Sequence, residues 1–585
     1  MFKNREYVSL LVADQDNNSI KSKRSIWRLW NQLSRLQRTL LYIILILGII
    51  ISLYILSNIF ETENNKLIEK HSPIVEFNNV LPQSYSTKPN SKVDVDNNAR
   101  QGVVQVVQGV LEHPNNQNVN LKDDAPKYFT GPTNTRQIAV VNAFKHAWKG
   151  YKTFAWGHDH LKPISASYSN WFGVGLTIID SLDTMYIMNL QEEYEEAREW
   201  VEQKLTFDIP NDVNLFEITI RVLGGLLSIY HLTSDKMYLD KARDLGERLL
   251  PCFNTDSGIP YSDINLRTGL AHAPKWSPDS STSEVTTIQL EFRDLSRSTG
   301  DSRFEEVASK ISDHVHELPK KHGLVPIFIN ALSGKFRQYS TITMGARGDS
   351  YYEYLLKQWL QTGKTIDYFR DDYLQAMKGA QEVLMKRTPA SNLLFIGELL
   401  GSDDNFKPKM DHLTCYLSGT LALGVHNGLP RHHLSIAEDL LTTCYQMYAR
   451  QPTFLAPEIA YFNLQDKTAA DLYVKSGDSH NLLRPEFIES LWYMAEIVPE
   501  NRTRYQEWGW KIFQAFENFT KVTNGYTSIA NVRNIKQTRP LDKMESFFLA
   551  ETLKYLYLLF RDENQEISLD EYVVNSEAHF IPIKF

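Results

Sequence analysis

The hydrophobic pattern divides the chain into three regions. Thr39 to Phe60 is uncharged and dominated by Leu and Ile, about long enough to cross a bilayer as one helix. Glu61 to Lys127 is rich in Asn, Gln, Val and Pro with only Phe77 and Tyr85 as aromatics. Such a segment cannot bury enough apolar surface to fold alone, so it reads as a disordered stem. From Tyr128 onward aromatics return and helical periodicity takes over, as in 193–205, 238–250, 283–296, 350–360 and 543–560. Short strand-like pieces interrupt the helices, such as Leu324–Asn330 with Gly334 just beyond. No flexible linker follows Tyr128, which predicts one large, mainly helical domain over 128–585.

Within that domain, Asn214 to Ser228 carries an unusual stripe. At about 100° per residue, Asn214, Glu217, Arg221, Gly224 and Ser228 share one narrow face. Apolar residues cover the rest. Gly224 and Gly225 each cost a helix roughly 1 kcal/mol against Ala, which implies that something approaches this helix closely. Glu217 and Arg221, spaced i, i+4, form either a surface ion pair of small worth or part of an apolar cavity wall. In the second case desolvation would raise the pKa of Glu217 and suit it to act as a general acid.

Charge sets the topology of the N-terminal region. Lys21, Lys23, Arg24, Arg28, Arg35 and Arg38 precede the apolar run, whereas Glu61 and Glu63 follow it. The positive-inside rule then gives a cytoplasmic tail over 1–38, a signal-anchor helix over 39–60 and a luminal remainder, a single-pass type II arrangement. The run is too long and starts too late for a cleaved signal peptide. The net charge of −8, with no strong basic block in the C-terminal bulk, argues against nucleic acid as a partner. Three cysteines, Cys252, Cys415 and Cys444, exclude a four-cysteine zinc site but allow one bridge and one free thiol. Asn501 and Asn518 begin luminal glycosylation sequons.

No phosphate loop, His-Glu-x-x-His pair or Gly-x-Ser-x-Gly elbow is present. Carboxylates beside arginines recur instead. In Gly345–Glu353, Ser350 and Glu353 read as a capping box, which frees Asp349 from that role. In Asn481–Glu486, Pro485 reads as the first helical residue and Glu486 as a dipole-compensating acid or a functional one. Glu545 and Glu551 flank Phe547 and Phe548, an aromatic pair suited either to sugar rings or to the core.

These stretches, together with Trp171–Thr184, Lys409–Cys415 and Asp542–Thr552, resemble the class I α-mannosidases of glycoside hydrolase family 47. The resemblance implies an (α/α)7 barrel with a C-terminal β-hairpin plugging one end. It implies inverting hydrolysis of terminal α-1,2-linked mannose from high-mannose N-glycans, with a bound calcium ion. Inversion needs two carboxyls about 6.5–9.5 Å apart to admit a water. By the resemblance Glu217 is the general acid acting through a water, Glu486 the base, and Asp349 the third acidic residue. Arg221, Glu284, Arg347, His412, Arg484, Phe547, Glu551 and Glu577 match sugar-contacting or charge-orienting positions, and Cys415 and Cys444 the family's disulfide. The family's calcium-binding Thr is Ser576 here, in Asn575–His579; hydroxyl and carbonyl both survive. Arg347 resembles the endoplasmic-reticulum type, which implies N-glycan trimming and glycoprotein quality control in that membrane. A Golgi-type enzyme and a mannose-binding lectin that escorts misfolded glycoproteins are the rival readings. The intact acidic set and cysteine pair favour the enzyme.

Overall fold

The computed structural model describes residues 126–275, 277–401, 405–562 and 567–583. The expected signal anchor and nearly all of the stem lie outside them. The described chain is mainly helical, with short antiparallel hairpins between helices.

Fourteen helices define the architecture: α1 Thr135–Phe154, α2 Leu182–Ile187, α3 Gln191–Lys204, α4 Leu215–Thr233, α5 Lys236–Leu249, α6 Gln289–Thr299 and α7 Ser302–Glu317. There follow α8 Asp349–Gln361, α9 Asp367–Gly379, α10 Tyr416–His426, α11 His432–Ala449, α12 Glu486–Ile497, α13 Arg502–Phe519 and α14 Leu553–Leu559. They pack as successive pairs, α2 with α3, α4 with α5 and so on to α12 with α13, while α14 pairs with α1. The first member of each pair also touches the first member of the next: α2, α4, α6, α8, α10, α12, α14. The turn Phe548–Thr552, leading into α14, touches α2 again.

Sequence explains the two kinds of helix. The first members are buried almost all round. Twelve of the thirteen residues of α8 are inaccessible, as is α10 from Tyr416 to Gly424. Helix α4 is apolar and long enough to cross a membrane, yet 78% of that window is buried within the protein, so it is a core helix. The second members are amphipathic. In α5 the buried residues are Tyr238, Ala242, Leu245, Gly246 and Leu249; in α7 they are Phe304, Ala308, Ile311, Ser312 and Val315. Both follow the same spacing of 4, 7, 8 and 11. The reversals α4–α5 and α6–α7 share one chemistry: a left-handed residue, Ser234 (φ 60°) or Gly300 (φ 75°), then an Asp N-cap, Asp235 or Asp301.

The C-terminal hairpin pairs β1 Tyr572–Val574 with β2 Phe580–Pro582 and packs on α4, α6 and α8. This contact accounts for the glycine pair. A Cβ on Gly224 would lie 2.6 Å from Asn575 Nδ2, and one on Gly225 3.0 Å from the Ile179 carbonyl oxygen and 3.3 Å from the His579 ring. Ser228, on the same stripe, donates to Asp183 Oδ2 at 2.8 Å and accepts the Phe580 N–H at 3.0 Å. The polar stripe is therefore the seat of the hairpin turn.

Three local expectations change. The pattern over 283–296 is not one helix: Thr282–Thr286 ends at Thr287 (φ −130°, ψ 49°) before α6 begins. Lys543 to Glu545 is irregular, and regular structure starts only around Ser546. Within Leu324–Asn330, only Phe328–Asn330 forms a strand, paired with Asp279–Ser281. The disulfide joins Cys415 and Cys444, with Cα atoms 6.0 Å apart, and ties the start of α10 to α11; Cys252 is free and buried.

Candidate functional site

A cavity of about 320 Å³ collects the sequence-predicted residues. Glu217, Arg221, Glu284, Arg347, Asp349, Arg484, Glu486, Phe547, Glu551, Ser576 and Glu577 all line it. His412 does not line it. It stands behind Glu486, with Nδ1 2.7 Å from Glu486 Oε2 and Nε2 2.8 Å from the Tyr448 hydroxyl.

Most of these groups sit near a helix start or on a turn. Asn214 caps α4 by accepting the Glu217 N–H at 3.0 Å, and a π-helical turn, Thr219–Leu223, carries Arg221. A second π-helical turn, Phe548–Thr552, carries Glu551. Such turns insert a residue into the helix and re-aim a side chain, and they concentrate at functional sites. Arg347 sits at φ 73°, a backbone region that is costly for a non-glycine residue, one residue before the Gly348 cap of α8. The capping box expected of Ser350 and Glu353 is not formed. Helix α8 already begins at Asp349, the Ser350 hydroxyl accepts from Thr287 at 2.8 Å, and Glu353 is bound by Lys357. Pro485 likewise stands at the cap of α12, with Glu486 as its first residue.

Arginine orders the wall. Arg221 donates to Glu577 at 2.7 Å and to Glu217 at 2.9 Å. The pair with Glu217 is thus neither on the open surface nor in an apolar wall. The Glu217 side chain keeps 27% of its exposure in a cavity rich in charge. Arg484 grips Glu458 with three contacts, at 2.8 and 3.0 Å from Nε and 2.5 Å from Nη2, and lies 3.6 Å from Glu486. The Phe547 ring has the Arg221 guanidinium 5.7 Å and that of Arg484 6.0 Å from its centroid. Phe548 is core instead, against Phe516 and Tyr526.

Proton affinities separate the carboxyls. Burial pushes Asp349 up to about 7, against an opposing hydrogen bond from the Ser350 N–H. Burial pushes Glu486 up too, but the His412 hydrogen bond and the charges of His412 and Arg484 outweigh it and hold Glu486 below the usual range. Burial also raises Glu284, Glu489 to about 8 and Glu577 to about 7, and it raises Glu551 beside Glu577. The Tyr448 phenol, raised by burial, stays protonated and is the partner of His412 Nε2, while Nδ1 faces Glu486.

Two lining carboxylates escaped the sequence reading. Glu353 and Glu489 flank the buried Lys357, which lies 3.8 Å from Glu489. The signal was available: Asp349, Glu353 and Lys357 are spaced i, i+4, i+8, and Glu486 and Glu489 i, i+3, so each set shares a face. Among the described residues the cavity lining has eight carboxyls against three arginines.

No cluster of three His, Cys, Asp or Glu among the described residues could hold a metal. The turn between β1 and β2 offers another kind of site. Its peptides are bonded within the turn or to the helices, yet the Ser576 carbonyl and hydroxyl take part in no hydrogen bond among the described residues. Ser576 lines the carboxylate-rich cavity, and two hard oxygens match the ligand preferences of calcium, with waters completing the shell. The residues fit the ion.

Residues 143–583 match glycosyl hydrolase family 47. The chain is 44% identical to endoplasmic reticulum mannosyl-oligosaccharide 1,2-alpha-mannosidase of Homo sapiens, covering 99% of this chain and 93% of that protein. It is 45% identical to mannosyl-oligosaccharide 1,2-alpha-mannosidase MNS3 of Arabidopsis thaliana over 77% of this chain and 79% of that one. In structure it resembles an alpha-1,2-mannosidase from Trichoderma reesei, with a TM-score of 0.71 and 26% identity, over 78% of this chain and the whole of the other. With its mainly helical architecture and carboxylate-lined cavity, the chain belongs to glycosyl hydrolase family 47.

Proposed function

We propose that the protein is a mannosyl-oligosaccharide 1,2-α-mannosidase that removes terminal α-1,2-linked mannose from high-mannose N-glycans by an inverting, calcium-dependent route. The observation that carries this reading is the gathering of Glu217, Asp349 and Glu486 in one cavity, with Glu486 held ionised by His412 and Arg484. Glycoside hydrolysis with inversion needs one ionised and one protonated carboxyl. The naming of the relatives supports the linkage, and the succession of helix contacts supports an (α/α)7 barrel with the hairpin as its plug.

Glu486 is the base. Its carboxylate accepts from His412, and the attacking water delivers a proton to it as the water oxygen bonds to the anomeric carbon. His412 is a positioning residue, locked by Tyr448 on its far side. Glu217 is the acid, passing a proton through a water to the departing glycosidic oxygen, and Asp349 is the third acidic residue, carrying a proton near neutrality. Phe547, with two guanidinium groups near its ring, lines the cavity as an apolar surface for the sugar, and Arg347 borders the path of the remaining glycan. Ser576 would hold calcium through its hydroxyl and carbonyl; the ion would bind and polarise sugar hydroxyls. Arg347 and the naming of the relatives support the endoplasmic reticulum as location, and the apolar run 39–60 supports a type II anchor.

The test is to incubate the purified protein with a nine-mannose glycan and to chromatograph the products. Free mannose, lost on chelation and restored by calcium, is the expected result. Retention of the glycan without mannose release would favour a lectin and overturn the proposal.

A further inference from the structure

The turn Asn575–His579 is clamped from beneath by groups that the reaction itself does not use. Tyr354 on α8 accepts the Ser576 N–H at 3.3 Å and donates to Glu291 Oε1 on α6 at 2.7 Å. Glu291 Oε1 also accepts from Asn575 Nδ2 at 2.8 Å, and the same Nδ2 lies 2.9 Å from the Ile220 carbonyl. On its other side Asn575 Oδ1 accepts the N–H groups of Glu577 at 2.8 Å and His579 at 2.9 Å. Glu291, Tyr354 and Asn575 are fully buried.

Peptide planarity turns these bonds into a direction. The Glu577 N–H and the Ser576 C=O belong to one trans peptide, so they point opposite ways. Holding that N–H down on Asn575 aims the Ser576 carbonyl away from Asn575. The bond from the Ser576 N–H to Tyr354 fixes the neighbouring peptide, and with it the Ser576 side-chain direction. Glu291 is the shared anchor, because it sets both the Tyr354 hydroxyl and the Asn575 amide.

We propose that Tyr354 and Glu291 are positioning residues that preset the two Ser576 oxygens for a hard divalent cation before it binds. The inference rests on the calcium reading above and extends it to two side chains on the neighbouring helices. Their effect is on the cation affinity of the turn: with the oxygens already aimed, less ordering is lost on binding.

The experiment measures calcium-dependent thermal shifts of the chelator-stripped full chain, for wild type, Tyr354→Phe and Glu291→Gln, alongside kcat at saturating calcium. Outer-shell partners of metal ligands are typically worth about 10–100-fold in affinity. Tyr354→Phe should raise the half-saturating calcium concentration by at least about 10-fold on that scale, with kcat recovered once calcium saturates. Glu291→Gln, which keeps an acceptor oxygen, should show a smaller shift in the same direction. Tyr373→Phe is the control, since the buried Tyr373 hydroxyl has no hydrogen-bond partner among the described residues; its midpoint should match wild type. Variants with wild-type midpoints but lower melting temperature would overturn the inference alone. A wild type with no calcium-dependent shift would overturn the calcium reading and this inference with it.

Discussion

Replacing Gly224 by Ala pits two effects of opposite sign against each other. Helix propensity alone favours the change by about 1 kcal/mol, so an unobstructed helix would be stabilised. The new methyl, however, would lie 2.6 Å from Asn575 Nδ2 and 3.2 Å from the His579 ring. Asn575 cannot swing away freely, because that nitrogen donates to the Ile220 carbonyl at 2.9 Å and to Glu291 at 2.8 Å. A buried polar group that loses its partner costs about 1–3 kcal/mol, and overpacking costs a similar about 1–3 kcal/mol. Against the propensity gain, the net expectation is a loss of about 1–5 kcal/mol. The turn would move with Asn575, so the calcium needed for half-maximal activity should rise too. Urea unfolding of wild type and Gly224→Ala measures the first, and a calcium titration of activity the second. A variant more stable than wild type, with unchanged calcium dependence, would refute the close seating of the turn on α4.

Glu217→Gln should lower kcat by about 10²–10⁴ with the folded structure intact by circular dichroism; near-normal turnover would remove Glu217 from the acid role. Asp349→Asn tests the raised proton affinity. A group whose folded pKa is about 7 contributes its full stability below the unfolded value and loses it as pH rises through 7. The variant should therefore gain more stability over wild type at pH 8 than at pH 4 in calcium-free urea titrations; an equal difference at both would contradict the shift. Arg347→Leu should broaden the set of branches trimmed from a nine-mannose glycan, because a fixed guanidinium fork restricts which branch enters. Identical isomer profiles would remove that role.

The stripe on α4 was legible because a helix repeats every 3.6 residues, so five polar or small positions among apolar neighbours had to share a face. The glycine pair announced a close neighbour. Its identity was not legible: Asn575 and His579 lie some 350 residues away, and local periodicity carries no information at that range. The His579 ring is wedged between Asp183, 2.9 Å from Nδ1, and Asp180, 3.2 Å from Nε2. Burial alone would lower its proton affinity, but these two acids hold it above the ordinary value. Lys554 completes the buried set through Asp183 at 2.8 Å. Glu353 was missed for a different reason: its apparent capping role at a helix start hid a carboxylate that lines the cavity, and Glu489 carried no signal beyond its i, i+3 spacing from Glu486. The break at Thr287 was illegible because tertiary packing, rather than a Gly or Pro, imposes it.

The measurement closest to the central claim is the anomeric form of the sugar first released. Proton NMR of a nine-mannose glycan, recorded within the first turnovers at saturating calcium, resolves the two mannose anomers before they equilibrate. Attack by a water activated at Glu486 on the face opposite the departing oxygen predicts β-mannose first, with its signal absent for Glu486→Gln. α-Mannose appearing first, or no mannose at all from the calcium-loaded protein, would contradict the account.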